Sequence, residues 1–252
     1  MRYSKTNLTE AADVGISNVK STVTGASVLV DKRTTRAYVA QQDGVSAVEI
    51  NVDLAANADI DLVALVGLTG IETVTITLRY LTSDVASQTV DVITPVQQNY
   101  ALARFDGIEA DEISITFDVG DSTQFSVGYL FCGALSDEIA IASDAVNYSI
   151  SSAFPVNLTR AGVPLTSESY LRAEISAATT EITFSTFREM IVEIATTGYA
   201  SPRLWYFDED CILTDEAIYG ILDTEAQQLL PRFYGKGQES RANATLEITE
   251  VF

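Results

Sequence analysis

Between Val45 and Cys132 apolar residues recur at every second position in one segment after another, and turn-forming residues separate the segments. That period belongs to strands with one face on a core and one face in water. In AVEINVDL the apolar set is Val48, Ile50, Val52 and Leu54; in TVTITLRYL it is Val74, Ile76, Leu78 and Tyr80. Ile60 to Val66 is nearly continuous apolar, the pattern of a central strand covered on both faces. Further strands are expected at DVIT (Val92, Thr94), at NYALARF, where Tyr100, Leu102 and Arg104 share a face, at EISITFDV and at QFSVGYLFC. The breaks carry Asn57, Asp59, Gly67, Gly70, Ser83, Asp84, Pro95, Gly107, Gly120 and Asp121. Short strands at this spacing, with no helix between them, predict an antiparallel β-sandwich or jelly roll.

The texture changes after Gly133, where SDEIAIASDAVNYS is polar and acidic. A domain boundary is placed there, giving a β-sandwich domain over 1–138 and a smaller α+β domain over 139–252. In the second domain, strands are expected around 156–169, at YLRAEIS, TEITFS and RLWYF, around Tyr219 to Leu222, and at ATLEITEVF. Thr186 and Glu189 stand at capping-box spacing, and Phe187, Ile191, Ile194 and Ala195 follow at helical intervals up to Gly198. One main helix is predicted from about Thr186 to Thr197. No internal repeat or low-complexity tract is found.

Composition removes most chemistry. The chain has no histidine, so a Ser-His-Asp triad, a Cys-His pair and a histidine-based zinc site are excluded as self-contained sites. Carboxylate pairs occur at Asp59 with Asp61, across Asp208 to Asp210, and at Asp215 with Glu216. In a chain with 35 acidic residues such pairs are expected on solvated loops, and EF-hand spacing is missing, so no catalytic residue and no metal ligand are assigned. No phosphate-cradling glycine motif follows a strand, so no nucleotide cofactor is expected. A net charge of −20 repels a nucleic-acid backbone. The N-terminal MRYSKTNLTEAADVG lacks a signal-like apolar stretch, and no later run reaches the roughly 20 apolar residues that span a bilayer, so neither secretion nor membrane insertion is expected. Cys132 and Cys211 are read as buried free thiols. Trp205 in RLWYF is read as a core anchor, as are Tyr129 and Phe131.

The stretch VEINVDLAANADIDLVALVGLTGIETVTITLRYL resembles a segment of minor tail and baseplate proteins of tailed phages. The matching elements are Asp53-Leu54, the polar turn Ala55 to Asp59, the strand Asp61 to Leu65, and the alternating strand Val74 to Arg79. Gly128 to Gly133 is similar to the closing strand of their discoidin-like jelly roll. In the second domain the similarity runs through Phe187 to Ala195, Gly198, Pro202 to Asp208 and Leu246 to Val251. The resemblance implies a non-enzymatic virion component, assembled in the host cytoplasm, that forms a homo-oligomeric ring joining the tail to fibres or other tip proteins. An alternative is a carbohydrate-binding module that contacts a host glycan. For a ligand, the candidate loop residues are Asn57, Asp59, Leu68 and Thr69; for assembly, Arg33, Arg36, Asp208 and Asp210.

Overall fold

The computed structural model describes residues 1–32, 37–44, 46–93, 99–119, 123–153, 156–158, 164–166, 170–179, 182–197, 201–207, 216–222, 232–234, 241–243 and 245–250. The protein is mainly β and divides into two compact units. One comprises Tyr3–Ser136; the other comprises Asp137–Val251 together with Met1–Arg2. The sequence placed the boundary between 138 and 139 and gave the N-terminus wholly to the first domain. The chain start joins the second unit because the Met1 ammonium donates to Ile139 O at 3.1 Å and Ile139 N–H returns a bond to Met1 O at 2.8 Å.

In chain order the strands begin with β1 (Arg2–Tyr3), β2 (Asp13–Ser17), β3 (Val19–Thr22), β4 (Tyr38–Gln42) and β5 (Val48–Val66). They continue with β6 (Thr73–Tyr80), β7 (Ser83–Asp91), β8 (Tyr100–Phe117), β9 (Gln124–Val127) and β10 (Tyr129–Gly133). In the first unit one sheet runs β10-β5-β8-β6-β7 with β2 added on β5, and a second runs β3-β4-β9. All pairings are antiparallel. Both sheets feed one core: Val48, Ile50, Val52, Val74, Ile76, Leu78, Ile113 and Ile115 from the larger, Tyr38, Ala40, Phe125 and Val127 from the smaller. Phe117 meets Phe125 edge-on at 5.1 Å between ring centroids. This is the expected sandwich. Each fully buried aliphatic side chain contributes about 1.5–3 kcal/mol relative to an exposed one.

The alternating pattern therefore put the right residues inside, with particular exceptions. The segments AVEINVDL and Ile60 to Val66 form one strand, β5, and NYALARF joins EISITFDV in β8. Gly107 does not end a strand: it and Asp106 both take positive φ (78° and 55°), which absorbs a register shift within β8. In β8 Ala101, Ala103 and Phe105 enter the core, while Leu102 and Arg104 are half-buried. Thr94 of the expected DVIT strand lies outside the described residues.

The N-terminal segment is held by Asn7, which is 6% exposed. Its Nδ2 donates to the Tyr129 hydroxyl and to Leu130 O, and its Oδ1 accepts from Thr9 N–H and Cys132 N–H, all within 2.9–3.2 Å. The amide is thereby saturated, so the Asn7-Leu8-Thr9 sequence offers no accessible glycosylation nitrogen in the folded chain. Cys132 is a buried free thiol, and burial pushes its pKa up. Cys211 lies outside the described residues.

The second unit contains β11 (Ile141–Ala153), β12 (Val156–Leu158), β13 (Pro164–Thr166), β14 (Tyr170–Thr179), β15 (Ile182–Thr183), α1 (Phe184–Thr197), β16 (Arg203–Phe207), β17 (Glu216–Leu222), β18 (Arg232–Tyr234), β19 (Arg241–Asn243) and β20 (Thr245–Glu250). Its main sheet runs β1-β16-β17-β20-β14-β11, with small sheets β12-β13 and β15-β19-β18. Helix α1, the only helix longer than a 3-10 turn among the described residues, begins two residues before the predicted start. Its cap is Thr183, whose Oγ1 accepts the Thr186 N–H at 3.2 Å, so Thr186 lies inside the first turn and the Thr186–Glu189 capping box does not form the boundary. Gly198 lies outside the described residues. Trp205 is fully buried, its Nε1 donating to Gly220 O at 3.2 Å, and every residue of β16 is buried. No helix among the described residues is long and apolar enough to cross a membrane.

Candidate functional site

The site grows from a mismatch between β5 and β8. Asp53 faces Glu112, but the next paired residues are Ala58 and Ala110, so β5 spends residues 54 to 57 where β8 spends only Asp111. Such an excess bends the strand and turns its side chains outward. Leu54 stays in the core, whereas Ala55, Ala56 and Asn57 are exposed. Beyond the excess Asp59 is exposed and faces Glu109.

The other flank of β8 carries β6. Arg79 faces Glu112, and the chain then reverses through Leu81 and Thr82 into β7, with Tyr80 opposite Ser83. Both turn residues take positive φ, 48° and 70°, the geometry of a type I′ hairpin. Asp111, the single β8 residue opposite the β5 excess, accepts the Leu81 N–H on Oδ2 at 3.0 Å. Asn57 Nδ2 donates to the Tyr80 hydroxyl at 3.3 Å and to Glu109 Oε1 at 3.4 Å. Behind them Arg79 holds Asp84 at 3.0 Å and Glu112 at 2.8 Å, with its side chain 30% exposed. Hydrogen bonds to Asp84 and then Glu112 raise the Arg79 pKa further, so this guanidinium is a permanent charge.

The result is a solvent-facing group of an amide, a phenol and carboxylates on a fixed backbone. The Asn57 side-chain oxygen and the second Glu109 carboxylate oxygen have no partner among the described residues. Such groups accept and donate hydrogen bonds. Among the described residues no group of three or more His, Cys, Asp or Glu side chains is placed to hold a metal ion.

Asn57 and Asp59 are thus brought together, and Tyr80, Leu81, Glu109 and Asp111 join them. The alternating pattern counts Tyr80 with the inward apolar set of β6, whereas it is half-buried, lies outside the core and accepts from Asn57; Leu81, Glu109 and Asp111 carry no signal, because the hairpin turn lacks Asn-Gly or Asp-Gly and Gly107 reads as a break. Leu68 is corrected. It is 2% exposed and belongs to the core, so it cannot touch a ligand. Its surroundings are tied down: Gly67 and Leu68 N–H donate to Asn99 O, Leu68 O accepts from Asn99 Nδ2, and Thr69 exchanges both backbone bonds with Ser126 at 3.1 Å. Thr69 is exposed, but it sits beyond the stretch Ala58 to Val66 of β5, roughly 30 Å of strand away from Asn57. Arg33, Arg36, Asp208 and Asp210 lie outside the described residues.

Comparison with protein families and with curated proteins gives no match. Solved structures similar to about half of the chain do exist. A Streptococcus pneumoniae fucose binding module is 15% identical over 51% of this chain and 95% of its own, with a TM-score of 0.43. A chitosan-binding module from a chitosanase/glucanase of Paenibacillus sp. IK-5 is 18% identical over 52% of this chain and 100% of its own, with a TM-score of 0.41. A family 32 CBM from C. perfringens NanJ, solved with galactose, is 17% identical over 51% of this chain and 97% of its own, also with a TM-score of 0.41.

Proposed function

We propose that the first unit is a non-catalytic carbohydrate-binding module and that the surface around Asn57, Tyr80 and Glu109 receives the sugar. The observation that carries this reading is the pairing of a planar amide with a planar carboxylate beside a phenol, on exposed backbone that the β5 excess and the hairpin hold in place. Planar polar groups with unused acceptors match pairs of sugar hydroxyls, and a rigid frame limits the entropy lost on binding. A glycan array probed with the full chain tests it. Binding that disappears in Asn57→Ala and in Tyr80→Ala, both still folded, supports the module; an empty array, or binding indifferent to both substitutions, refutes it.

A second reading is a structural subunit of a tailed-virus tail or baseplate, ring-forming and joined to fibres or tip proteins. It is supported by the sequence resemblance in VEINVDLAANADIDLVALVGLTGIETVTITLRYL and by the second unit, where α1, β16 and β20 cover much of the stretch that the resemblance spans. The two readings are compatible, since a tail subunit that binds glycan would contribute to host attachment. A particle reconstruction that locates this chain in a ring supports the structural role. A virion that lacks the chain refutes it.

A further inference from the structure

Strand β11 ends the main sheet of the second unit, and among the described residues it pairs with β14 alone. Edge strands of soluble proteins carry lysine, proline or inward charges that discourage pairing with another chain. Val146 to Ala153 carries none: VNYSISSA has no charged residue and no proline, in a chain 20% charged. The side chains that β11 turns to the core show what is missing. Antiparallel partners lie on one face, so Val146, Tyr148 and Ile150 stand with Ala177, Ile175 and Ala173, all three of which are buried. On β11 the burial fades along the strand: Val146 is buried, Tyr148 half-buried, and Ile150 leaves 53% of its surface in water. The backbone points the same way. Ala173 N–H donates to the Glu250 carboxylate at 2.9 Å, so Ala173 and Ile150 form a pair whose backbone groups turn away from each other, and those of Ile150 turn to the outer edge.

We propose that the outer edge of β11 pairs with β11 of a second copy, antiparallel and about a two-fold axis at Ile150, so that two second units share one continuous sheet. Ile150 then faces the partner's Ile150, the two exchange both backbone bonds, and each side chain covers the other. The occupant is a second copy because the edge is its own complement in this register. Ile150 needs an apolar neighbour and meets one, Ser149 falls opposite Ser151, and Asn147 falls opposite Ala153. No like charges are opposed along the seam, although each chain carries a net charge of −20. The inference is independent of both functional readings given above.

Analytical sedimentation of the full chain over a range of concentrations tests this. A dimer is expected, and its fraction should rise with salt, which screens the repulsion between two acidic chains. Ile150→Lys should leave only monomer, with its circular dichroism unchanged because the side chain lies half in water. Ile150→Cys gives a second reading. Residues opposed in this way lie about 5.5 Å apart at Cα, within disulfide reach, so mild oxidation should link two copies. Val192→Cys, on α1 at a position also 53% exposed, should stay unlinked. Monomer at every concentration and salt overturns the proposal, as does a dimer that Ile150→Lys leaves intact. Equal linking of Ile150→Cys and Val192→Cys, or of neither, also overturns it.

Discussion

The two ends of the Ala58 to Val66 stretch of β5 look alike in sequence and differ in structure. Each is marked by small and polar residues, Asn57 and Asp59 at one end, Gly67, Thr69 and Gly70 at the other. At the first, surplus residues on β5 leave side chains in water and join Asn57 to Tyr80 and Glu109. At the second, backbone bonds to Asn99 and Ser126 close the turn and Leu68 drops into the core. Turn-like composition thus marks where a strand stops without saying whether the place is open. What decides is where the backbone groups find partners.

Substitutions can break this contrast, and the largest effect belongs to the closed end. Leu68→Ala should cost about 2–5 kcal/mol by emptying a packed site, read by urea denaturation. A loss below about 0.5 kcal/mol would mean that the side chain is not in the core. Gly70→Ala comes next, at about 1–3 kcal/mol for a left-handed residue. Gly70 holds φ at 76°, and an added Cβ would lie 2.8 Å from Gln124 O. Arg79→Ala, at the open end, should cost about 0.2–1 kcal/mol, because its partner Asp84 is 66% exposed and solvent screens the pair. That cost should shrink as salt rises, and a salt-independent loss would assign it to packing instead. Asn57→Ala should change stability by less than about 0.5 kcal/mol, since its bonds are long and exposed. On the proposed carbohydrate reading, its effect falls on binding.

The same physics explains what was legible in the sequence. Strands with one buried face announce themselves, as Val74, Ile76 and Leu78 do in β6. Strand β7 does not: it is an edge strand, exposed throughout except at half-buried Ala86, Gln88 and Val90, so it carries no clear apolar alternation and only Ser83 and Asp84 stand out, as a break. Its outer hydroxyls instead pair across to β6, Thr89 with Thr75 and Ser87 with Thr77, each at 2.9 Å. Helix α1 was visible from its apolar spacing, but the choice between Thr183 and Thr186 as cap depended on hydrogen bonding that a pattern does not contain. Trp205 was placed correctly because a strand flanked by apolar residues on both faces leaves little choice. Two of the six candidate-site residues, Asn57 and Asp59, were legible, because loop chemistry is local. Tyr80, Leu81, Glu109 and Asp111 reach it only through strand pairing and an unusual turn, which are non-local or strained and leave no local mark.

The most direct test is amide chemical-shift mapping of the isotopically labelled full chain, titrated with a sugar that a glycan array has identified. Shifts concentrated at Asn57, Tyr80, Leu81, Glu109 and Asp111, with Thr69 and Gly70 unmoved, are the predicted result. Shifts confined to Thr69, Gly70 and Ser126, or to the second unit, would contradict the assignment of the open end as the binding surface.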